Sequence, residues 1–459
     1  SRGLGDVYKR QIIDSAMANL AGFLWGTPLV MLLLGGGIFF AAYSRLVPML
    51  YFKHGIDILL GKYDSDDDPG QITHFEALSS ALAGTVGMGN IAGVAVAIHT
   101  GGPGAVFWMW VTAILGMSTK FFTCTLALMY RGKDDQGEIQ GGVMYFIEEG
   151  LGRSYRPLAI MFSVSGLLGC IVFFQANQLS QIVRDYLYEP MQLFQGNPTA
   201  GNFVTGILVA TLVAVVIFGG IKRIAKVASR MVPTMVGLYI IAAILILAKN
   251  ITDVPGIFKL IISDAFTGNA VSGGALGSMI IIGVRRGMFS NEAGTGTETM
   301  AHGAAKTKEP VREGLVAMLG PFIDTLIVCT ITAVIILLSG VYVEDLNGVS
   351  MTAEAFKKEL GIYGQIFLTI AVLNFALSTM FGYSYYGQKC ASFVFGTRWK
   401  NAYNFVYVFM IVVGSVASID IAVNFVDSAY ALMVIPTMVS TFLLAPKVLE
   451  ESKRYFSNL

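Results

Sequence analysis

The chain has 459 residues, of which 54% are hydrophobic and 13% are charged, and its mean hydropathy is +0.65. A soluble domain rarely has this balance. The net charge of +1 gives no field that would attract nucleic acid, and the four histidines and four cysteines show no metal-ligand or disulfide spacing. These observations exclude most soluble classes, nucleic-acid binders and metalloproteases.

Apolar segments recur along the chain at about the 20 residues that a membrane-spanning helix needs. Residues 1–11, SRGLGDVYKRQ, resemble the translation of a sequencing adapter, and we interpret them as a non-native leader. The pattern predicts an all-α polytopic membrane protein with eleven spans, at about 23–44, 76–99, 104–130, 157–183, 203–219, 231–248, 276–300, 314–340, 363–388, 401–418 and 422–445.

The distribution of Lys and Arg predicts the orientation. Basic residues concentrate in loops on the cytoplasmic side. With the N-terminus outside, 22 of the 31 Lys and Arg lie inside, including Arg285 and Arg286. We therefore expect an N-out, C-in topology.

The second span, ALSSALAGTVGMGNIAGVAVAI, crowds glycines into one helix, where glycine is disfavoured by about 1 kcal/mol relative to alanine. One interpretation is close helix packing through small residues. The other is an unwound midsection whose free carbonyls bind a cation and whose half-helix ends face a charged substrate. Thr85 and Asn90 supply further oxygens there.

A second glycine cluster, SGGALGS at 272–278, opens the seventh span. Without the first span, the remaining ten divide into five plus five, and the two glycine clusters open the two halves. Breaks at corresponding positions of two repeats indicate a midplane transport site. The predicted organisation is an N-terminal helix and loop over 12–75, repeats over 76–248 and 249–445, and a cytoplasmic tail over 446–459.

Polar residues within the spans are further candidates, because such residues usually face a cavity or a partner. Asp324 is a cation ligand or, alternatively, the partner of Lys120. Ser378 and Thr379 offer two hydroxyls to a hard cation, or they make ordinary interhelical hydrogen bonds. The fourth span contains FFQANQ, in which we expect one or two of three amides to line a polar cavity and the others to join helices; these are Gln175, Asn177 and Gln178.

Several motifs resemble the sodium:alanine (alanine or glycine:cation) symporter family. The segment GGPGAVFWMWVTAILG, 101–116, fits the family signature with its paired glycines and FWMW core. Further family blocks are GTVGMGNIAGVA, RGMFSNEAGTG, HGAAKTKEPVREGLVAMLGPFIDTLIVCT and STMFGYSYYG. The resemblance runs from about residue 20 to the C-terminus. It implies a LeuT-like fold of five plus five inverted-repeat helices with one extra N-terminal helix.

The resemblance also implies sodium-coupled uptake of alanine or glycine across a prokaryotic inner membrane. By position, the implied sodium ligands are the carbonyls of Ala83, Val86 and Phe375 and the hydroxyls of Ser378 and Thr379. A second sodium position would involve Thr85, Asn90 and Asp324. The implied substrate-binding residues are Thr85, Gly87, Gly89, Asn90, Gln175, Gly274, Thr379 and Tyr383.

One position departs from the family pattern. Tyr383 stands where the family usually has tryptophan, so a smaller ring with a hydroxyl changes the pocket. Serine thereby becomes a candidate substrate beside alanine and glycine.

Alternative functions remain open at the sequence level. A proton-coupled carrier of the same fold is the main one, since Asp324 could carry a proton. A channel would need a continuous polar lining, and an intramembrane enzyme would need a nucleophile with a base; neither pattern is present. The FSNEAGTGTE stretch, 289–298, is expected to be a structural loop on the inner side or part of an inner gate.

Overall fold

The structure is a computed structural model that describes residues 15–65, 67–267 and 275–459. Its backbone is mainly helical, because a helix satisfies every backbone polar group within its own segment and lipid offers no other partner. The helices up to residue 249 are α1 Ser15–Leu24, α2 Thr27–Tyr43, α3 Val47–Leu50, α4 Phe52–Leu59, α5 His74–Thr85, α6 Val94–Gly101, α7 Gly104–Met129, α8 Val143–Leu151, α9 Arg156–Gly169, α10 Phe173–Val183, α11 Pro198–Ile217 and α12 Gly220–Lys249.

The helices after residue 249 are α13 Val254–Thr267, α14 Ala275–Asn291, α15 Thr299–His302, α16 Pro310–Ala317, α17 Leu319–Pro321, α18 Thr330–Ser339, α19 Val349–Leu360, α20 Ile362–Phe395, α21 Lys400–Val416 and α22 Ile419–Ser457. π-Helical segments occupy Gly89–Gly93, Arg184–Tyr188 and Phe322–Cys329, and 3-10 turns occupy Arg153–Tyr155, Val341–Val343 and Thr397–Trp399. A short antiparallel hairpin, β1 Gly132–Lys133 and β2 Ile139–Gln140, connects α7 to α8.

Helices lie at all eleven predicted spans. Among the described residues, seven helices are long and apolar enough to cross a membrane, and two bent pairs raise that number to nine. The remaining two spans correspond to α14 and α21, which have 17 residues each. Helix length and hydropathy by themselves therefore support seven to nine crossings.

The seventh predicted span needs two corrections. Its helix, α14, ends at Asn291 rather than near residue 300. Of the predicted break at 272–278, residues 272–274, including Gly274, lie outside the described residues, and Ala275–Ser278 are helical. The break that the structure does describe comes after Asn291.

Two other predictions are affected by the described ranges and by helix positions. The leader over 1–11 lies outside the described residues. Arg285 and Arg286, which the orientation count assigned to the inner side, lie within α14 and bind Asp427. Without these two residues the count falls from 22 to 20 of the 31 Lys and Arg, so the bias that predicts the orientation remains.

Small residues bring the central helices close together. A Cβ added to Gly382 of α20 would lie 3.0 Å from the backbone nitrogen of Gly84 in α5. A Cβ added to Gly283 of α14 would lie 2.6 Å from the carbonyl oxygen of Ala105 in α7. Such glycines let helix backbones approach closely where lipid provides no hydrophobic drive for association. This packing places α5, α14 and α20 around one centre.

Candidate functional site

The first helix break lies between α5 and α6 and confirms the predicted unwinding of the second span. α5 ends at Thr85, and the segment Gly89–Gly101 continues at an angle of 50°. In an unbroken helix the Gly87 N–H would donate to the Ala83 carbonyl; here it donates to Asn90 Oδ1 at 2.8 Å. The Ala83 carbonyl is thereby freed from the helical ladder, as in the broken helices of secondary transporters.

Asp324 forms the centre of a buried polar cluster beside this break. Its carboxylate accepts hydrogen bonds from Asn90 Nδ2 at 2.6 Å and from the hydroxyls of Ser290 and Thr325, each at 2.7 Å. Asn90 also donates to the Asp324 backbone carbonyl at 3.0 Å. Among the described residues Asp324 has no ion pair with Lys120, so the alternative pairing is not formed.

The two predicted hydroxyls of α20 share one backbone acceptor, and one of them faces the first break. Ser378 Oγ and Thr379 Oγ1 donate to the same carbonyl, that of Phe375, at 2.9 and 3.0 Å. A Cβ added to Gly87 would collide with Thr379 Oγ1 and would lie 3.5 Å from the Phe375 carbonyl oxygen. The structure therefore brings the Thr379 hydroxyl and the Phe375 carbonyl against the break, with the Ser378 hydroxyl bonded to the same carbonyl. Oxygen ligands of this kind suit a hard cation.

The second helix break runs from Glu292 to Glu298, between α14 and α15. Glu292, Gly294 and Gly296 have φ values of +57°, +95° and +81°, which no helix allows. The whole stretch is buried, so FSNEAGTGTE is not an exposed loop. A Cβ added to Gly89 in the first break would lie 3.3 Å from Ser290 Cα, so the two breaks adjoin each other.

A carboxylate and two tyrosines connect the second break to α20 and α22. Glu292 accepts hydrogen bonds from Thr297 and from the hydroxyl of Tyr383, and that hydroxyl also bonds to Tyr430. The Tyr383 ring lies against Gly84, at 3.1 Å from the position of an added Cβ. Tyr383 thus contacts the second break and the end of α5 that precedes the first break, and its hydroxyl already has two protein partners.

Gln175 differs from its two neighbours in α10. Its Oε1 is buried and has no hydrogen-bond partner in the described part of the chain. Asn177 donates to the Ala417 carbonyl at 2.7 Å, and Gln178 accepts from the Val349 amide at 2.9 Å. Buried polar atoms are nearly always bonded, so Gln175 fits the predicted cavity-lining role and the other two join helices.

The remaining predicted positions are buried but less directly connected. Thr85 ends α5, and its hydroxyl donates back to the Ala81 carbonyl at 3.4 Å. Val86 forms the turn of the first break, and its amide donates to Leu82 at 2.7 Å. Lys120 is 2% exposed, so it does not extend to the membrane surface.

Ion clusters lie on both sides of the breaks. Near the start of α5, Glu313 binds His74 Nδ1 and, at 2.5 Å, His302 Nδ1. Close by, Asp68 hydrogen-bonds Lys308, which lowers the pKa of the Asp68 carboxyl. These contacts hold the N-terminal end of α5 against α15 and α16.

The opposite cluster lies in the α14 half that precedes the second break. Asp427 of α22 binds both Arg285 and Arg286, and Asp427 and Arg286 are 0% and 4% exposed. Removing one partner of a buried ion pair usually costs about 3–5 kcal/mol because it leaves a charge unpaired. The breaks therefore lie between two ionic contacts that hold helices together.

Sequence reasoning missed three residues of this centre: Ser290, Glu292 and Tyr430. Glu292 did carry a signal, since a carboxylate within an apolar block is costly unless it has partners. Ser290 and Tyr430 carried none, because only the fold brings them to Asp324 and Tyr383.

Two broken helices that meet between packed helices are the architecture of a LeuT-fold membrane transporter. The crystal structure of MhsT in complex with L-phenylalanine has this fold; it aligns with a TM-score of 0.57 and 14% identity, over 83% of this chain and 98% of MhsT.

The sequence model of the sodium:alanine symporter family matches residues 10–459, and the chain belongs to that family. It is 38% identical to the sodium/alanine symporter AgcS of Methanococcus maripaludis, over 96% of this chain and 97% of that protein. It is 34% identical to the probable sodium/glutamine symporter GlnT of Bacillus subtilis, over 97% of this chain and 91% of GlnT. The chain is thus a multi-pass membrane transporter of a symporter family and not an enzyme.

Proposed function

We propose that this protein carries a small neutral amino acid across the membrane together with sodium, by alternating access. One observation carries the proposal: the Thr379 hydroxyl lies against Gly87 of the first break, where the Ala83 carbonyl is freed, and the neighbouring Ser378 hydroxyl donates to the same Phe375 carbonyl as Thr379 does. A cation bound there would join α20 to α5 and so link its binding to the relative position of two helices. Ligand binding that differs between two states shifts their populations.

The proposed architecture has eleven spans, arranged as one N-terminal helix followed by two five-helix repeats over 76–248 and 249–445. The proposed orientation is N-out, C-in, which follows the excess of Lys and Arg on the inner side. Because the family relatives are bacterial and archaeal, we place the protein in the inner membrane of a prokaryotic cell.

Two sodium positions are proposed. The first uses the carbonyls of Ala83, Val86 and Phe375 with the hydroxyls of Ser378 and Thr379. The second uses Asp324 and Asn90, to which the geometry adds Ser290, a residue that hydrogen-bonds the same carboxylate. Thr85 is a more distant candidate because its hydroxyl points back along α5. In the second position sodium would replace hydrogen bonds that Asp324 now accepts from neutral groups.

The substrate is proposed to bind between the two breaks. Its carboxylate would face the amides near Gly87 and Gly89, and its ammonium would face Gln175 and the carbonyls of the second break. Both charges of a zwitterion must find partners in a site of low dielectric constant. Thr379 and Tyr383 would line the pocket; Gly274 stays a prediction. The relatives' names include alanine and glutamine symporters, so alanine, glycine, serine and glutamine are the substrates to compare.

A proton-coupled carrier of the same fold is the second candidate. It is favoured by buried carboxylates near the breaks, among them Asp324 and Glu292. A relative from Bacillus subtilis that is 34% identical is named a putative sodium/proton-dependent alanine carrier. Against it, the α20 oxygens are those of hydroxyls and a carbonyl, which are suited to sodium and do not gain or lose a proton near neutral pH.

The test is uptake of labelled alanine into proteoliposomes, under a sodium gradient or a matched potassium gradient and with pH clamped on both sides. We expect accumulation only with sodium, and its loss in the double variant Ser378→Ala/Thr379→Ala. Thr369→Ala is the matched control, because its hydroxyl also donates back along α20, to Gln365 at 2.9 Å, but lies nearly three turns from the break. Equal uptake without sodium, driven by a pH gradient, would instead support the proton-coupled carrier.

A further inference from the structure

The first part of α12 is basic, and the rest of the helix is apolar. Its first third carries four exposed basic residues, Lys222, Arg223, Lys226 and Arg230, whereas residues 218–249 contain no Asp or Glu. In the described part of the chain none of the four forms an ion pair. Elsewhere on the surface Lys and Arg commonly pair with carboxylates, as Lys358 does with Glu344 at 2.5 Å. Among the described residues, no ion pair therefore neutralises these four charges.

The length of α12 indicates where this charge lies relative to the bilayer. Residues 231–249 span roughly 28 Å at 1.5 Å per residue, close to the roughly 30 Å thickness of the hydrocarbon layer. That part exposes large apolar side chains, including Leu238, Ile241 and Leu245, which are 53%, 57% and 59% exposed. If it crosses the hydrocarbon layer, the four basic residues lie at the level of the lipid headgroups.

A groove of about 650 Å³ runs along this helix and joins its two parts. Arg223, Lys226 and Arg230 line one end at i, i+3 and i+7, so they share a helix face. Apolar side chains of the same face continue the groove, and α20 contributes Asn374. The other lining residues are Val227, Met231, Thr234, Met235 and Leu238, and none of the described lining residues is a carboxylate.

We propose that this groove is a binding site for an anionic phospholipid. The phosphate would bind the three basic residues, and an acyl chain would lie along Met231, Met235 and Leu238. Clusters of Lys and Arg next to a membrane span have the charge that attracts acidic headgroups. A soluble phosphate matches only the charged end of the groove, whereas the apolar end is of use only to a ligand with a hydrocarbon chain.

The position of the groove connects it to the centre of the transporter. Asn374, on its far wall, precedes Phe375 in α20. From α12, Tyr239 packs edge-on against the Phe375 ring at 5.6 Å and its hydroxyl bonds to Thr332 at 2.8 Å. A lipid between α12 and α20 would therefore bias the position of the helix that carries the proposed sodium ligands. This consequence for transport rests on the proposed function, whereas the lipid site itself does not.

The binding test uses the purified full chain in neutral detergent and native mass spectrometry with phosphatidylglycerol or phosphatidylcholine. We expect the wild type to retain phosphatidylglycerol preferentially. The triple variant Arg223→Gln/Lys226→Gln/Arg230→Gln should bind it about a hundredfold more weakly, at roughly fivefold per basic residue. The matched control Lys53→Gln/Lys447→Gln/Lys453→Gln removes the same charge from other exposed positions and should bind as the wild type does.

Three outcomes would overturn the lipid site: equal retention of both lipids by the wild type, equal loss in the two triple variants, or displacement of the lipid by millimolar glycerol 1-phosphate. The last would identify a site for soluble phosphate.

A second experiment measures sodium-driven alanine uptake in proteoliposomes with and without phosphatidylglycerol. Adding phosphatidylglycerol should change the sodium concentration that gives half-maximal uptake severalfold in the wild type, and should leave it unchanged in the triple variant Arg223→Gln/Lys226→Gln/Arg230→Gln. Lipid binding without this change would retain the site and reject its coupling to sodium, and absence of all uptake would count against the proposed function alone.

Discussion

The two helix breaks at the centre of the molecule differ in how they are built. The first, around Val86 to Met88, is three residues long and is held by neutral groups, of which the Gly87 amide and the Asn90 side chain are the main ones. The second, Glu292 to Glu298, is seven residues long and contains two buried carboxylates and three residues with positive φ. The first frees the Ala83 carbonyl from the helical ladder and packs Gly87 against the Thr379 hydroxyl of α20. The second binds its own carboxylate, Glu292, to tyrosine and threonine hydroxyls.

This difference suggests a division of roles. An open break that contains no charged side chain of its own can accept a cation and a carboxylate, while a break closed by strong hydrogen bonds fixes the relative positions of α14, α20 and α22. We therefore expect changes in the first break to alter ion and substrate binding, and changes in the second to alter stability first.

The largest effect is expected for Gly87→Ala. The added methyl would occupy the position of Thr379 Oγ1, and the overlap must separate α5 from α20 or displace the hydroxyl. Overpacking of this kind costs about 1–3 kcal/mol, and sodium-driven uptake should fall by about a hundredfold. Gly237→Ala in α12 is the matched control, since a Cβ there meets nothing within 4 Å. Wild-type uptake by Gly87→Ala would mean that the Thr379 hydroxyl does not contribute to sodium binding.

Asp324→Asn tests the carboxylate that adjoins both breaks. Hydrogen bonds to a charged group contribute about 1.5–3 kcal/mol each, and the amide replaces one acceptor oxygen by a donor facing Ser290 and Thr325. The apparent affinity for sodium should fall by about tenfold to a hundredfold, measured as half-saturation of alanine uptake. A variant with normal sodium dependence that no longer responds to pH would move Asp324 from the sodium site to a proton site.

The sequence predicted the first break more accurately than the second, and the cause is physical. At the first break the GMGN motif places glycines where helix propensity is lowest, and Asn90 is close enough in sequence to bond the freed amide. At the second break the partners of Glu292 and Ser290 come from α20 and from the π-helical segment. The glycine cluster at 272–278 drew the prediction towards the start of α14 because local propensity does not report contacts between distant residues.

The positions of the helices could also be predicted, because they too depend on local sequence. Apolar runs gave the positions of the helices, since the bilayer requires long apolar segments. Ser378 and Thr379 stood out because two adjacent hydroxyls within a span offer oxygen ligands to a hard cation. The contacts of Asp427 were not predictable, because a buried ion pair between α14 and α22 has no local pattern. For this reason Arg286 was counted among the inner-side charges although it is buried within α14.

Tyr383→Phe examines the second break. The change leaves Glu292 with one hydroxyl donor fewer and removes the bond to Tyr430. We expect the free energy of unfolding to fall by about 1–3 kcal/mol, measured by thermal unfolding in detergent, with a smaller effect on half-saturating sodium. Tyr407→Phe is the matched control, because its hydroxyl binds one neutral carbonyl, that of Met380, at 2.6 Å. Unchanged stability together with a large loss of sodium affinity would reverse the division of roles.

Gln175→Leu gives the smallest expected effect and tests whether the substrate binds between the two breaks. Its Oε1 is buried and has no hydrogen-bond partner among the described residues, so its loss costs the empty protein little. A substrate that binds it would lose one hydrogen bond of about 0.5–1.5 kcal/mol. The KM for alanine should therefore rise by about threefold to tenfold, while the unfolding temperature stays near that of the wild type.

Gln178→Leu, three residues further along α10, should behave in the opposite way. Its side chain bonds to Asn177, Gln181 and the Val349 amide, and these groups would lose partners in the folded protein. We expect lower stability and an unchanged KM. If both variants lose stability equally and neither changes KM, then Gln175 is structural like its neighbour, and the ammonium of the substrate must be met by the carbonyls of the second break.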